Sequence, residues 1–97
     1  MIDSKTRAIL RSKANTITPS CTIGKGGVSE TILNDISDAL EAHELIKVSV
    51  LKNSEFTAKE IAGEIAESLN ADVCGVIGGK IILYRRSSKD IKHILDK

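Results

Sequence analysis

Apolar residues recur along this chain at helical intervals, then at every second position, and the alternation between the two periods sets out its elements. Thr6, Leu10, Ala14 and Ile17 recur at helical spacing and predict a helix over residues 4–16. Asp3 or Ser4 can cap its start and Pro19 stops it. Residues 20–23 then read as a short strand that runs into glycines. Ile32, Leu33, Ile36, Ala39 and Leu40 form the stripe of a second helix. Ser29 is its N-cap, Glu30 suits the positive end of its dipole, and Val28 is placed to staple onto Leu33. Ile46, Val48 and Val50 alternate with Lys47 and Ser49, the pattern of a half-buried strand. A third helix opens on the capping box Thr57-Ala58-Lys59-Glu60, with Phe56 placed to staple onto Ile61, and carries Ile61, Ala62, Ile65, Ala66 and Leu69. Residues 73–77 and 80–85 bracket Gly78-Gly79, a two-residue connection suited to a primed hairpin turn. Ser87-Ser88 predicts the start of a last short helix with Ile91, Ile94 and Leu95.

The order is therefore α-β-α-β-α-β-β, and residues 87–97 are expected to be a terminal helix or tail. This is an α/β (α+β) pattern. Strand–helix–strand units favour parallel neighbours with right-handed crossovers, whereas the final hairpin must be antiparallel. A mixed four-stranded sheet packed with helices follows, in a strand order that one sequence does not reveal. The 97 residues suit a single domain, 1–97, with one modest core. A composition 41% hydrophobic and 28% charged is that of an ordinary globular chain. No apolar run approaches the roughly 20 residues that span a bilayer, and the N-terminus lacks a secretory pattern. A cytoplasmic protein without a membrane partner is expected. Cys21 and Cys74 each lie in an apolar run without C-x-x-C spacing, and read as buried free thiols.

A net charge of +1 conceals an uneven distribution. Residues 1–27 carry +4, residues 28–70 carry −6 and residues 71–97 carry +3. Both ends are basic and the middle is acidic, which can build a local positive face without a high isoelectric point. Arg7 and Arg11, four apart on the first helix, share a flank beside its apolar stripe, while Lys5 and Lys13 project elsewhere.

The candidate chemistry lies in Gly24-Lys25-Gly26-Gly27, which joins a strand to a helix start. Glycines let another backbone approach closely, and the first turn of a helix offers unpaired N–H groups and the positive end of a dipole. Lys25 adds a full charge at the loop tip. Together these suit a phosphate, and a GxxG loop is how KH-type modules clamp a nucleic-acid backbone. Two other phosphate motifs do not fit. No G-K-[ST] is present, and the dinucleotide fingerprint needs Gly or Ala where Ser29 stands.

Three blocks in order carry a resemblance: Ile23-Gly24-Lys25-Gly26-Gly27, then Ala42-His43-Glu44-Leu45-Ile46-Lys47-Val48, then Val76-Ile77-Gly78-Gly79-Lys80 leading to Leu83-Tyr84-Arg85. The chain resembles the CRM domain (chloroplast RNA splicing and ribosome maturation), and in particular the stand-alone bacterial YhbY-like, YqeI-type proteins, from Lys5 to Arg86. The resemblance implies a fold similar to the C-terminal domain of bacterial translation initiation factor three. It also implies RNA binding and association with precursor large ribosomal subunits through ribosomal RNA. Gly24 and Gly27 occupy the fixed places of the family's GxxG loop, and Gly26 is an additional glycine.

The expected RNA-binding residues are Gly24, Lys25, Gly26, Gly27, Arg11, Arg7, Lys5 and Lys13, with Arg85 and Arg86 at a strand end where one reaches RNA and the other closes the sheet. Phe56 and Tyr84 are the only aromatic residues, too few to stack single-stranded bases, so shape and backbone are the expected targets. His43 reads as a dipole partner at a helix C-terminus. Neither a Cys/His set nor a Ser–His pair accompanies the glycines. No enzyme activity, metal, cofactor or small-molecule substrate is expected. The alternative reading is a protein-interaction module that uses the acidic second and third helices (Asp35, Asp38, Glu41, Glu60, Glu64, Glu67).

Overall fold

A computed structural model describes residues 2–24, 26–51, 57–88 and 94–96. Its elements run α1 (Ser4–Ala14), β1 (Cys21–Ile23), α2 (Glu30–His43), β2 (Leu45–Val50), α3 (Ala58–Leu69), β3 (Asp72–Ile77), β4 (Lys80–Tyr84) and a 3-10 turn at Ile94–Asp96. Each helix starts where its cap residue predicts. The Asp3 carboxylate accepts the Thr6 N–H at 2.8 Å, which holds its carboxyl below the ordinary value. The Ser29 hydroxyl accepts the Ile32 N–H at 3.2 Å. Thr57 and Glu60 form the reciprocal capping box, both bonds at 3.2 Å. The predicted staple from Phe56 lies outside the described residues.

The four strands form one mixed sheet in the order β1-β2-β4-β3. β1 runs parallel to β2, and β4 is antiparallel to both β2 and β3. The chain thus steps across the sheet in one direction, from β1 to β2 to β3. Crossovers of one hand then place α2 and α3 on the same face. Ile23, Ile36, Leu40, Ile46, Val48, Ile61, Ile65, Ile81 and Leu83 close the core on that side. α1 covers the other face, where Leu10 and Ala14 pack on Leu45, Cys74, Ile82 and Tyr84. The alternation in β2 decides this division: Ile46, Val48 and Val50 face α2 and α3, and Leu45 faces α1.

Register breaks between Val73 and Gly75, so that Cys74 is the extra residue of a bulge. A side chain at Gly75 would lie 2.9 Å from Cδ of Arg11, so glycine there lets the Arg11 stem lie against the strand. The β3–β4 turn has positive φ at Gly78 and not at Gly79, the pattern of a II′ turn and one of the primed forms. A Cβ on Gly79 would lie 2.8 Å from the Val50 carbonyl oxygen, and the Val50 N–H donates to the Gly79 carbonyl at 2.7 Å. The hairpin is thereby pinned to the end of β2.

At the other end of the sheet Ser87 and Ser88 are irregular and bind the end of α2, and the helix predicted to start from them would run into residues 89–93. Glu44, 1% exposed and at φ 66°, accepts the Ser87 N–H and the Ile94 N–H, each at 2.6 Å. The Ser87 hydroxyl donates to the Glu41 carbonyl at 2.7 Å, and the Ser88 hydroxyl donates to the Glu41 carboxylate. These contacts hold the carboxyl of Glu41 below its ordinary value, with the Ser88 hydroxyl foremost and the Arg85 guanidinium adding to it. Residues 89–93, including Ile91, lie outside the described residues.

Candidate nucleic-acid interface

The glycine loop sits where β1 ends, beside the end of β2. The Gly24 carbonyl accepts the Gly27 N–H at 3.1 Å, closing a four-residue turn. The Leu51 N–H donates to the Ile23 carbonyl at 2.9 Å and ties that turn to β2. The three described glycines are not equivalent. Gly27 is buried at φ 71°, a conformation other residues adopt only at a cost of about 1 kcal/mol or more. A side chain at Gly24 would meet only Cδ1 of Leu51, at an ordinary 3.8 Å, and one at Gly26 would meet nothing within 4 Å. The fold therefore requires glycine at 27 but not at 24 or 26. What the absence of those two side chains provides is open backbone at a helix start, accessible to a group from outside. Glu30, exposed in the first turn of α2, is the acid at this corner. Lys25 lies outside the described residues.

Arg7 and Arg11 share a flank of α1, as their spacing predicts. The stem of Arg11 crosses β3 at Gly75 while its residue stays exposed. Both guanidinium groups lie near Cys74. Burial pushes that thiol up to about 11, Asp72 adds to the rise, and Arg7 and Arg11 pull against it. Nε of Arg7 is buried without a hydrogen-bond partner among the described residues. Lys5 is exposed, and Lys13 is half-buried in the last turn of α1.

Arg85 is placed differently. Its Nη1 donates to the Leu69 carbonyl at 3.0 Å, and Nη2 reaches the Ser37 carbonyl at 3.2 Å and hydroxyl at 3.0 Å. The same Nη2 lies 3.3 Å from the Glu41 carboxylate. Of the two C-terminal arginines, Arg85 is the one that closes the structure. It binds α2 to the end of α3, at the Tyr84 end of β4, whereas the glycine loop lies toward the Lys80 end. Arg86 is exposed beside it.

Two cations absent from the predicted set stand out. Lys47 pairs in register with Ile82, and Lys80 pairs with Ser49. Both therefore belong to the α1 side of the sheet. The signal was present in the alternation of residues 46–50, which sends Lys47 and Ser49 to the side opposite the valines.

Among the described residues no group of His, Cys, Asp and Glu is arranged to hold a metal ion. Among the same residues no helix is long and apolar enough to cross a membrane. Cys21 and Cys74 are free thiols on opposite faces and opposite edges of the sheet.

Residues 2–85 match the family model of the CRS1 / YhbY (CRM) domain. This chain belongs to the CRM domain family. It is 40% identical over 90 residues to "Probable RNA-binding protein YqeI" of Bacillus subtilis, covering 93% of this chain and 94% of that protein. It is 32% identical over 88 residues to an "RNA-binding protein" of Haemophilus influenzae, covering 91% and 89%. A Staphylococcus aureus protein, described with its solution structure as a candidate RNA-binding protein, superposes with a TM-score of 0.81 at 41% identity, covering 94% of this chain and 95% of that one. That neighbour shares the CRM fold, with its mixed sheet and three helices.

Proposed function

We propose that this CRM-family chain binds structured RNA, with the RNA backbone lying across loop 24–27 and the start of α2. The observation that carries this reading is the open corner at Gly24 and Gly26, where the fold has no need of glycine but an approaching phosphate does. Lys25, Arg11 and Arg7 neutralise phosphates, and Lys5 and Lys13 contribute from the edges of α1. The names of the relatives support RNA as the partner. Arg85 and Arg86, at the far end of the sheet, are left out of the contact. The chain acts as one domain without catalysis or cofactor.

For four or five neutralised phosphates, log affinity falls with log salt at a slope of about −3 to −4.5. Gly26→Asp puts a carboxylate into the corner without a steric clash. It is expected to weaken binding to an RNA hairpin about tenfold or more while circular dichroism stays unchanged. Undiminished binding by that variant would refute the loop reading. By its likeness to YhbY-type proteins, the chain serves cytoplasmic assembly of the large ribosomal subunit by contact with ribosomal RNA. Co-sedimentation with large-subunit precursors on sucrose gradients tests this, and migration only at the top of the gradient argues against it.

A second reading has one observation behind it, the six carboxylates Asp35, Asp38, Glu41, Glu60, Glu64 and Glu67 of α2 and α3 on the side of the sheet away from α1. They suit a basic protein. Reversal at Glu60, Glu64 and Glu67 would then abolish partner capture and leave RNA affinity intact.

A further inference from the structure

We infer that the strip of sheet left uncovered by α1 is a second contact surface for the same RNA, which makes the ligand a folded, duplex-containing RNA. This inference rests on the RNA reading above. α1 packs over Leu45, Ile82, Cys74 and Tyr84, toward one end of the sheet. The register places two rows of residues on the same face, the first partly under α1 and the second beyond it. Lys47, Ile82 and Gly75, with the Arg11 stem over it, form the first row. Thr22, Ser49, Lys80 and Ile77 form the second, nearer the glycine loop. Ile82 is buried under α1, but the second row is open. Thr22 and Lys80 are exposed, Ser49 is half-buried, and Ile77 is 62% exposed.

The chemistry of these rows is that of a phosphate surface. Nζ of Lys80 lies 3.2 Å from the Ser49 hydroxyl, so the ammonium rests across the sheet among hydroxyl donors. No carboxylate pairs with Lys47, Lys80 or Arg11 among the described residues. Lysine, arginine, serine and threonine are among the side chains that contact nucleic-acid backbone. The strip is also continuous with the loop, since Leu51 follows β2 and touches the Gly24 corner. With strands about 4.8 Å apart, the second row alone runs roughly 14 Å across the four strands, and Lys47 lies about 7 Å behind it. The patch offers no ring for stacking, because Tyr84 is buried under α1. A broad, charged surface without an exposed ring suits the paired backbones and 2′-hydroxyls of an RNA helix better than splayed bases.

The test is a salt titration of wild-type protein, Lys80→Gln, the double variant Lys47→Gln/Lys80→Gln, and Gly26→Asp. Each is measured against a synthetic RNA hairpin and an unfoldable single strand of the same composition, with circular dichroism to confirm folding. Lys80 is exposed and glutamine keeps most of the stem at Lys47, so folding should survive; the single variant gives an independent readout if the double one unfolds. The double variant is expected to bind the hairpin about fifty-fold more weakly at 0.1 M salt, with a log–log slope shallower by about 1.5 to 2, and Lys80→Gln alone about half of that on both logarithmic scales. The single strand should lose less. If Gly26→Asp weakens hairpin binding and the lysine variants bind like wild type, the loop reading stands and the sheet surface is overturned. If wild type shows no salt-dependent affinity for the hairpin, both fall.

Discussion

The two faces of the sheet differ in charge as sharply as they resemble each other in packing. With Glu44, Arg86 and Asp96 at the Tyr84 end set aside, Lys5, Arg7, Arg11, Lys13, Lys47 and Lys80 stand on the α1 side against Asp3 and Asp72 among the described residues. On the α2/α3 side, Glu30, Asp35, Asp38, Glu41, Glu60, Glu64 and Glu67 stand against Lys59 and Arg85. Both faces are sealed by fully buried aliphatic side chains, Leu10 on one and Ile36, Leu40 and Ile65 on the other. The difference teaches that net charge is a poor guide to partners in a molecule of this shape. A sheet one residue thick separates a cationic surface from an anionic one, and the two cancel only in the sum. Arginine illustrates the division within one residue type. Arg85 spends its guanidinium on carbonyls and Glu41, whereas Arg11 lays only its stem on the protein and leaves its head exposed.

The comparison can be broken most forcefully at Glu44. Glu44→Ala leaves the buried Ser87 N–H and the Ile94 N–H without acceptors, at about 1–3 kcal/mol each. A loss of about 3 kcal/mol in urea denaturation is expected, with hairpin affinity unchanged in the folded protein. An affinity loss would mean that the far end of the sheet also serves the ligand.

The arginine pair sharpens it next. Arg85→Met should cost about 2 kcal/mol of stability, through the lost bonds to Ser37, Leu69 and Glu41, and leave RNA affinity within about twofold. Arg11→Met keeps the stem over Gly75. It should change stability by less than about 1 kcal/mol while weakening hairpin binding roughly tenfold at 0.1 M salt. Equal effects of the two variants on affinity would erase the distinction between the faces.

The smallest expected effect concerns the thiol beneath the arginines. The folded state raises Cys74 from 9.0 to about 11, so its ionised form is disfavoured in the fold. The resulting stabilisation is intact below about pH 9 and is lost as pH rises toward 11, because the unfolded chain releases that proton first. Urea midpoints of wild type should decline over this window more than those of Cys74→Ala. Parallel declines would show that the thiol is less enclosed than α1 makes it.

Much of the fold was legible because local chemistry acts locally. Asp3, Ser29 and the Thr57–Glu60 box start their helices as side-chain acceptors of nearby N–H groups, needing no information from afar. The period of two in residues 46–50 placed a half-buried strand, and Gly78-Gly79 placed the β3–β4 hairpin. Ser87 and Ser88 show the opposite case. They bind Glu44 and Glu41, more than forty residues away in sequence, and no local pattern shows those contacts.

The candidate site divides similarly. The glycine loop, its place before α2, and the shared flank of Arg7 and Arg11 were written in spacing. That Gly27 alone is demanded by the backbone, that Arg85 belongs to the frame, and that Lys47 and Lys80 join one surface were not. The amino-acid order by itself determined which segments are helix or strand and which side of each is apolar, since those follow from the periods of the backbone. Only the tertiary structure decided which sides meet, because strand order and register set the neighbours across the sheet. A charge takes its role from those neighbours: a carbonyl and a carboxylate make it a brace, and open solvent makes it a contact.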